Sequence, residues 1–288
     1  MKKITTYNIV EDERVVDRIA IVSDTGKLLN RKLIEEGKVV SEGEFAYDAK
    51  DNLIEESERS EEGIKTGNKY IYDAEGQIQA IHKMYQSEMF ELLKYTYEPS
   101  KTTITTYRDD EVFERTIEEI GEDGSEKITV YDKKGKAIKT QRTVPNESNN
   151  SLKITIFNEY GDLANTVEEF YDARDFVVGK KEFDKAGNLM KVDAFELNND
   201  GLILKHTLKT RIEGAVVEIQ TVYEYDENEN EVLRKVTDLQ GNDLETETKK
   251  YNDKNELVEE VFENFSGTIS NQPSYHKVIE IEAVEELD

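Results

Sequence analysis

The first residues to examine for chemistry are His82, His206 and His276, the only three histidines of the chain. None has a second histidine or a cysteine at ligand spacing, so the pattern offers no zinc site and reads as ordinary strand histidines. Cysteine is absent, which excludes thiolate nucleophiles, thiolate metal sites and disulfides. Carboxylates number 64, so acid pairs occur everywhere and single out no glycosidase dyad. The stretches "NNDG" at 198–201 and "DENENE" at 226–231 offer oxygen ligands for Ca²⁺. Neither has the spaced ligands of an EF-hand loop, and the same residues are those that build turns. No GxSxG, phosphate-binding loop or HExxH is present. A Ser or Thr nucleophile would need a base beside it, and no spacing supplies one. These residues predict neither an enzyme nor a cofactor or metal.

The aromatics are the remaining candidates. Tyr131, Phe157, Tyr223 and Tyr225 recur beside Thr and Lys in alternating runs, and their rings could stack on a sugar or a peptide. The competing reading is a cross-strand aromatic and Thr ladder, each pair contributing roughly 0.2–1 kcal/mol. Either role requires strands. In "KITVYD" at 127–132, Ile128 and Val130 point one way, and Lys127, Thr129 and Tyr131 the other. "KITIFN" at 153–158 repeats the pattern, and "TVYEYD" keeps Thr221, Tyr223 and Tyr225 together. The expectation is one aliphatic face, turned inward, and one face of Thr, Lys and aromatics.

What positions those strands is an internal repeat, the feature to seek first in any chain. Its unit is an aromatic, Asp or Asn, two variable residues, a turn residue, one more residue and an aliphatic. Copies read "YDAKDNL" at 47–53, "YDAEGQI" at 72–78, "YDKKGKA" at 131–137, "FNEYGDL" at 157–163 and "FDKAGNL" at 183–189. Tyr47, Tyr72 and Tyr97 are spaced by 25 residues, whereas Phe157, Tyr171, Phe183 and Leu197 follow at 14, 12 and 14. Turn signals every 12 or so residues mark a chain folding back as successive strands. Asp48, Asp73, Asp132 and Asp184 can close Asx-turns onto nearby backbone N–H groups. Gly76, Gly135, Gly161 and Gly187 stand where a tight connection needs positive φ, and Asp51, Asp175 and Asn255 replace glycine in other copies. Two stretches also fit helices, "SEMFELLKY" at 87–95 and "LVEEVFENF" at 257–265, but the surrounding repeat assigns both to strands. "PNESNN" at 145–150 reads as a long hairpin loop.

The fold class is therefore all-β: one antiparallel meander of hairpin repeats about 12 residues long, with roughly twenty strands about 4.8 Å apart. Twist must bend so wide a sheet, and the expectation is a curled, solenoid-like sheet with a single domain over 1–288. Residues 1–22 would form N-terminal cap strands and 258–288 a C-terminal cap with an acidic tail. "HKVIEIEAV" at 276–284 would be an unpaired terminal strand, open to pairing with another chain or kept solitary by Glu280 and Glu282.

Charge narrows the partners. With 38 basic residues against the 64 acids, the formal net charge is −26. That balance disfavours nucleic acid and anionic membranes, and suits a basic protein, divalent cations or solubility alone. The N-terminus lacks an apolar segment after Lys2 and Lys3, so no signal peptide is read there. Cytoplasmic residence is the expectation, with export lacking a cleaved signal left open.

The "YDxxGxL" turns at 72–78 and 131–137, with the close copy at 183–189, resemble the YD repeats of the Rhs family over roughly 23 to 257. That resemblance implies a coiled β-shell and a life near secreted toxins. The chain departs from the family in being short and in having no Asp-Pro motif: Pro99, Pro145 and Pro273 follow other residues. A fainter likeness links "EEGKVVSEGEFAYD" at 35–48 to MORN-type repeat antitoxins. Together these lead to an expected non-enzymatic acidic repeat protein that binds another protein, such as an immunity protein or chaperone for a basic toxin or effector. The alternative is a surface repeat module, part of an exported Rhs-like protein, binding carbohydrate or neighbouring cells.

Overall fold

In the computed structural model, which describes residues 1–212, 215–267 and 270–284, the chain is an antiparallel meander of 22 strands. The first ten strands are β1 (Lys2–Val10), β2 (Glu13–Val22), β3 (Leu28–Glu35), β4 (Lys38–Tyr47), β5 (Leu53–Ser60), β6 (Lys65–Tyr72), β7 (Ile78–Tyr85), β8 (Glu88–Glu98), β9 (Lys101–Arg108) and β10 (Glu111–Ile120). They continue as β11 (Glu126–Asp132), β12 (Ala137–Asn146), β13 (Ser151–Phe157), β14 (Leu163–Tyr171), β15 (Val177–Asp184) and β16 (Leu189–Leu197). The last six are β17 (Ile203–Ile212), β18 (Ala215–Tyr225), β19 (Glu231–Asp238), β20 (Asp243–Tyr251), β21 (Leu257–Asn264) and β22 (Tyr275–Ala283). Both helix-compatible stretches are strands, β8 and β21. The 145–150 loop narrows to a single 3₁₀ turn at Glu147–Asn149.

The sheet closes. β22 pairs antiparallel with β1, from Lys2 opposite Ala283 to Asn8 opposite Lys277, so the expected curled solenoid is instead a closed barrel. The 276–284 segment is a stave rather than a free edge, paired with β1 over Lys277–Ala283 and with β21 over Tyr275–Val278. β1 and β2 near the start, and β21 and β22 near the end, are likewise staves of the wall; 285–288 lie outside the described residues. Closure satisfies the backbone donors and acceptors that both terminal strands would otherwise present.

The repeat's chemistry is visible in the turns. Asp48 Oδ1 accepts from Lys50 N and Asn52 N, both at 2.8 Å, and Asp51 takes φ of 73°. Asp132, Asn158, Asp172, Asp184, Asn198, Asp226, Asp238 and Asn252 form the same pair of bonds. The residue three places on has positive φ in each case, as Gly135, Gly161, Asp175, Gly187, Gly201, Glu229, Gly241 and Asn255 do. The aromatic before the turn has its own task. Tyr72, Tyr97, Tyr225 and Tyr251 donate their hydroxyls to the carbonyls of Leu53, Ile78, Ile203 and Glu231, at the start of the preceding strand. Aromatic and Asx residue together therefore fasten one strand end to its neighbours.

The wall is thin. The molecule exposes 18461 Å² of surface, where a compact monomer of this mass would expose about 12,600 Å². Among the described residues, Ala80, Val236 and Phe262 are the buried apolar side chains. Both faces of the wall thus reach solvent, as a barrel of this strand number with an unfilled lumen requires. Neither face carries the unbroken apolar band of a lipid-facing barrel. β5 places Glu56 and Glu58 on one face and Glu55 and Arg59 on the other; β15 places Lys180 and Glu182 against Lys181.

Candidate functional site

The pairing register assigns every strand residue to one of two faces, because directly opposed residues share a side. One face carries Arg31, Phe45, Glu56, Glu58, Thr66 and Lys83, which line a cavity of about 400 Å³ spanning β3 to β8. A wall that gathers side chains from six successive strands bends toward that side, so this is the inner face. It also holds the deeply buried Val236, Phe262, Glu245 and Glu91, while Thr129, equally buried, lies on the other face.

The four aromatic candidates divide between the faces. Tyr131 pairs with Arg115 and Phe157 with Thr140, both on the outer face; Tyr223 pairs with Arg234 on the inner face, and Tyr225 stands two residues further along that side. The expected single aromatic platform is therefore absent, and with it the division into one aliphatic and one aromatic face. The reason is chirality. Successive turns of a meander are related by two-fold axes lying in the sheet, and such an axis exchanges the two faces. A handed strand–turn unit used at both ends must thus send its aromatic outward at one end and inward at the other. Tyr107, Tyr131, Phe157 and Phe183, ending odd strands, face out; Tyr72, Tyr97, Tyr225 and Tyr251, ending even strands, face in. Arg142 lies over the Phe157 ring at 5.8 Å, and burial raises the pKa of Tyr223.

The densest polar centre lies on the inner face near the closure, where the sequence reading placed nothing. Arg234 of β19 reaches Glu245 and Glu247 of β20 at 3.3 Å each. Lys249 bridges Glu231 at 2.9 Å and Glu247 at 3.4 Å. Tyr275 of β22 donates to Glu260 of β21 at 2.9 Å and to Glu247 at 3.4 Å, while its ring stacks on Phe262 at 5.3 Å. Burial, and then the hydrogen bond to Glu247, raise the pKa of Glu260. Burial also pushes Glu247 up, but the Glu260 hydrogen bond, Lys249 and Arg234 outweigh it and hold Glu247 below the ordinary range. The two shifts are opposite in sign, so as pH falls Glu260 takes up a proton before Glu247 does. Burial and the Glu260 contact raise Tyr275 strongly. One signal was available in the sequence: Glu245, Glu247 and Lys249 alternate at i, i+2, i+4, which puts three charges on one side of a strand.

Two smaller centres share this face. Glu91 is held by Lys83 at 2.6 Å and Arg108 at 2.7 Å, and these outweigh its burial to lower its pKa. Asp193 takes Lys191 at 3.1 Å and His206 Nε2 at 2.8 Å, with Phe195 stacked on the imidazole at 4.7 Å. His276 pairs with Glu259 at 2.8 Å on the outer face, where His82 also lies. The histidines remain apart from one another.

The two candidate Ca²⁺ stretches are occupied by their own turns. Arg174 donates to the carbonyls of Asn198 and Asn199 at 3.0 and 2.7 Å, and Asn230 takes both carboxylate oxygens of Asp226. Among the described residues, no group of three His, Asp or Glu side chains is placed to hold a metal. The charged groups of these centres are paired with one another.

No protein-family model matches the chain, and no curated protein does. Among solved structures it is similar to a TcdB2–TccC3–Cdc42 structure, with 10% identity and a TM-score of 0.33 over 90% of this chain and 19% of that one. It is also similar to the Tc holotoxin pore of Photorhabdus luminescens, at 10% identity and 0.32 over 96% and 18%. A porin-like protein from Bacteroides uniformis gives 8% and 0.31, over 97% of both chains. The chain spans about a fifth of the toxin chains it matches. No residue or activity transfers at such scores, and the toxin neighbours support only a weak Rhs-related resemblance.

Proposed function

We propose that the protein is a non-enzymatic binding scaffold whose client is another, basic, protein, with an immunity protein or chaperone for a toxin or effector as the specific form. The observation that carries this reading is charge on a doubly exposed wall: a net −26 spread over a surface far larger than a compact monomer needs. Such a field accelerates encounter with a cationic partner and disfavours phosphate backbones. The polar centres of the inner face support the same reading, since their charges are spent on one another. The test is affinity capture from the native source in low and in high salt. A basic protein retained at low salt and released at high salt is the expected result. Capture that ignores salt overturns the electrostatic reading, and enrichment of glycans instead of protein favours the surface-module alternative.

A further inference from the structure

The two ends of the barrel differ in what they leave uncovered. Among large apolar side chains at least half exposed, Val10, Tyr85, Phe90, Tyr160, Val216, Leu239 and Phe265 all lie where an odd strand passes to an even one. Among the described residues of this kind, only Ile120 lies at the opposite end. Exposed apolar groups gathered at one place mark a contact surface more often than single scattered ones do.

Charge says which arc of that end is used and by what. Over β1 to β10 the connections carry Glu11 and Asp12, Glu35 and Glu36, Glu61 and Glu62, and Asp109 and Asp110. Among the described residues none of these carboxylates makes an ion pair or side-chain hydrogen bond; of the neighbouring cations Lys38 and Arg59 are likewise unpaired, while Arg14, Lys65 and Arg108 are held elsewhere. Around the rest of this end most of the described turn acids are engaged: Asp132, Asp184 and Asp238 cap their own turns and Glu159 holds Lys136. The arc therefore interleaves free carboxylates with Val10, Val39, Tyr85, Phe90 and Phe113, at the mouth of the cavity that Phe45, Tyr85 and Phe90 line.

We propose that this arc, the β1–β10 sector of the odd-to-even end, is the docking surface for a basic protein segment that presents apolar side chains between its lysines and arginines. Charge complementarity selects that occupant. A second copy of this chain would bring like-charged arcs together, which costs several kcal/mol where such charges meet. The proposal rests on the basic-partner reading and adds to it a location.

The test uses a fluorescent synthetic peptide of alternating Lys and Leu, with Lys/Ser and Glu/Leu peptides as controls. Binding is measured by anisotropy to the full chain, to an arc variant (Phe90→Ser, Phe113→Ser, Asp109→Asn, Asp110→Asn) and to an opposite-end variant (Ile120→Ser, Glu122→Gln, Glu147→Gln). Circular dichroism and sedimentation check that each variant remains folded. The expected result is Lys/Leu binding that falls at least tenfold in the arc variant and less than twofold in the opposite-end variant. Equal losses in both would sink the location while leaving the basic-partner reading intact. Equal binding of Lys/Ser and Lys/Leu shows charge alone at work and overturns the apolar half. No Lys/Leu binding, or an arc-dependent dimer in sedimentation, overturns the docking surface outright, while salt-sensitive capture of a native partner still decides the broader reading.

Discussion

The first ten strands and the strands from β11 onward reach the same end of the barrel through different turns. In the first group four of the five odd-to-even connections are two-residue turns, with both central residues at positive φ: Glu11 and Asp12, Glu36 and Gly37, Gln86 and Ser87, Asp109 and Asp110. In the second group β11–β12, β13–β14, β15–β16 and β19–β20 use the Asx-turn that also serves the other end. This explains the two spacings in the sequence. Where both ends use one turn the repeat returns after each strand, and where the ends differ it returns only after each hairpin. The residues differ as sharply. The Asx-turns mostly give the positive-φ place to Gly, while the two-residue turns, Gly37 apart, put Glu, Gln, Ser and Asp there, away from the Asn-Gly sequences that such turns favour. Stability does not explain that choice. The docking surface proposed above supplies a reason.

Packing widens the contrast, and the largest predicted effect probes it. Phe262 is 3% exposed between β20 and β22, while Phe90, on the early arc, is half exposed. Phe262→Ala should cost about 3–4 kcal/mol by urea unfolding, against less than about 0.5 kcal/mol for Phe90→Ala. Equal costs would mean that the closure region is no better packed than the arc.

The turn comparison predicts opposite signs for similar exchanges. Ser87 has φ of 69° and no glycine to relieve it, so Ser87→Gly should stabilise the protein by about 1 kcal/mol. Gly135 has φ of 78°, and Gly135→Ala should destabilise by a similar amount. Urea midpoints decide between them. Two losses would show that Ser87 contributes a contact outweighing its backbone strain.

Much of this architecture is legible in the sequence, and what is not has identifiable causes. The Asx residues and the glycine positions are local, so Asp184 and Gly187 announce their turn without help from the rest of the chain. Closure is different. It depends on Lys2–Asn8 meeting Lys277–Ala283, and nothing local distinguishes a pair of compatible edges from two protected ones. Glu280 and Glu282 look like edge protection, yet Arg14 takes Glu280 at 2.5 Å and Lys3 takes Glu282 at 3.7 Å, so they are part of the joint. The alternation of faces was hidden for another reason. Aligning repeat on repeat superposes strands that run in opposite directions, which places Tyr131 with Tyr225 when the sheet holds them on opposite sides. The Glu247–Glu260 pair needs register across two strands, which no periodicity encodes.

Acid should act on the Asx-turns, and more strongly where both ends of the barrel use them. Hydrogen bonds from Asn188 and from nearby backbone N–H groups lower the pKa of Asp184, and Asn242 does the same for Asp238. A carboxylate with a depressed folded-state pKa contributes stability that is complete above its unfolded pKa and is lost as pH falls through the folded one. Asp184→Asn keeps the acceptor oxygen and removes the charge. The melting temperature of that variant should fall less steeply than the wild type's as pH drops through the acid range. Identical slopes would show that Asp184 is no more strongly bound in the folded state than in the unfolded chain.

Glu260 should show the opposite sign, confined to one joint. Its pKa is raised, first by burial and then by the hydrogen bond to Glu247, so the folded state keeps its proton to a higher pH than the unfolded chain does. The resulting stability is complete below the unfolded pKa and is lost as pH rises through the folded one. The adjoining β21–β22 ladder is the joint most exposed to that loss, since it pairs only from Glu259 to Phe262. Glu260→Gln fixes a donor toward Glu247 at every pH. It should therefore leave stability nearly unchanged in acid and raise it at neutral pH by about 1 kcal/mol, the net worth of one retained hydrogen bond. Hydrogen exchange reads this at the joint: in the wild type the amides of 259–262 and 275–278 should lose protection as pH rises, after correction for intrinsic exchange. In the variant they should not. Parallel pH dependence in the two proteins would show that protonation of Glu260 does not hold the joint, and would leave the short ladder as its weakness.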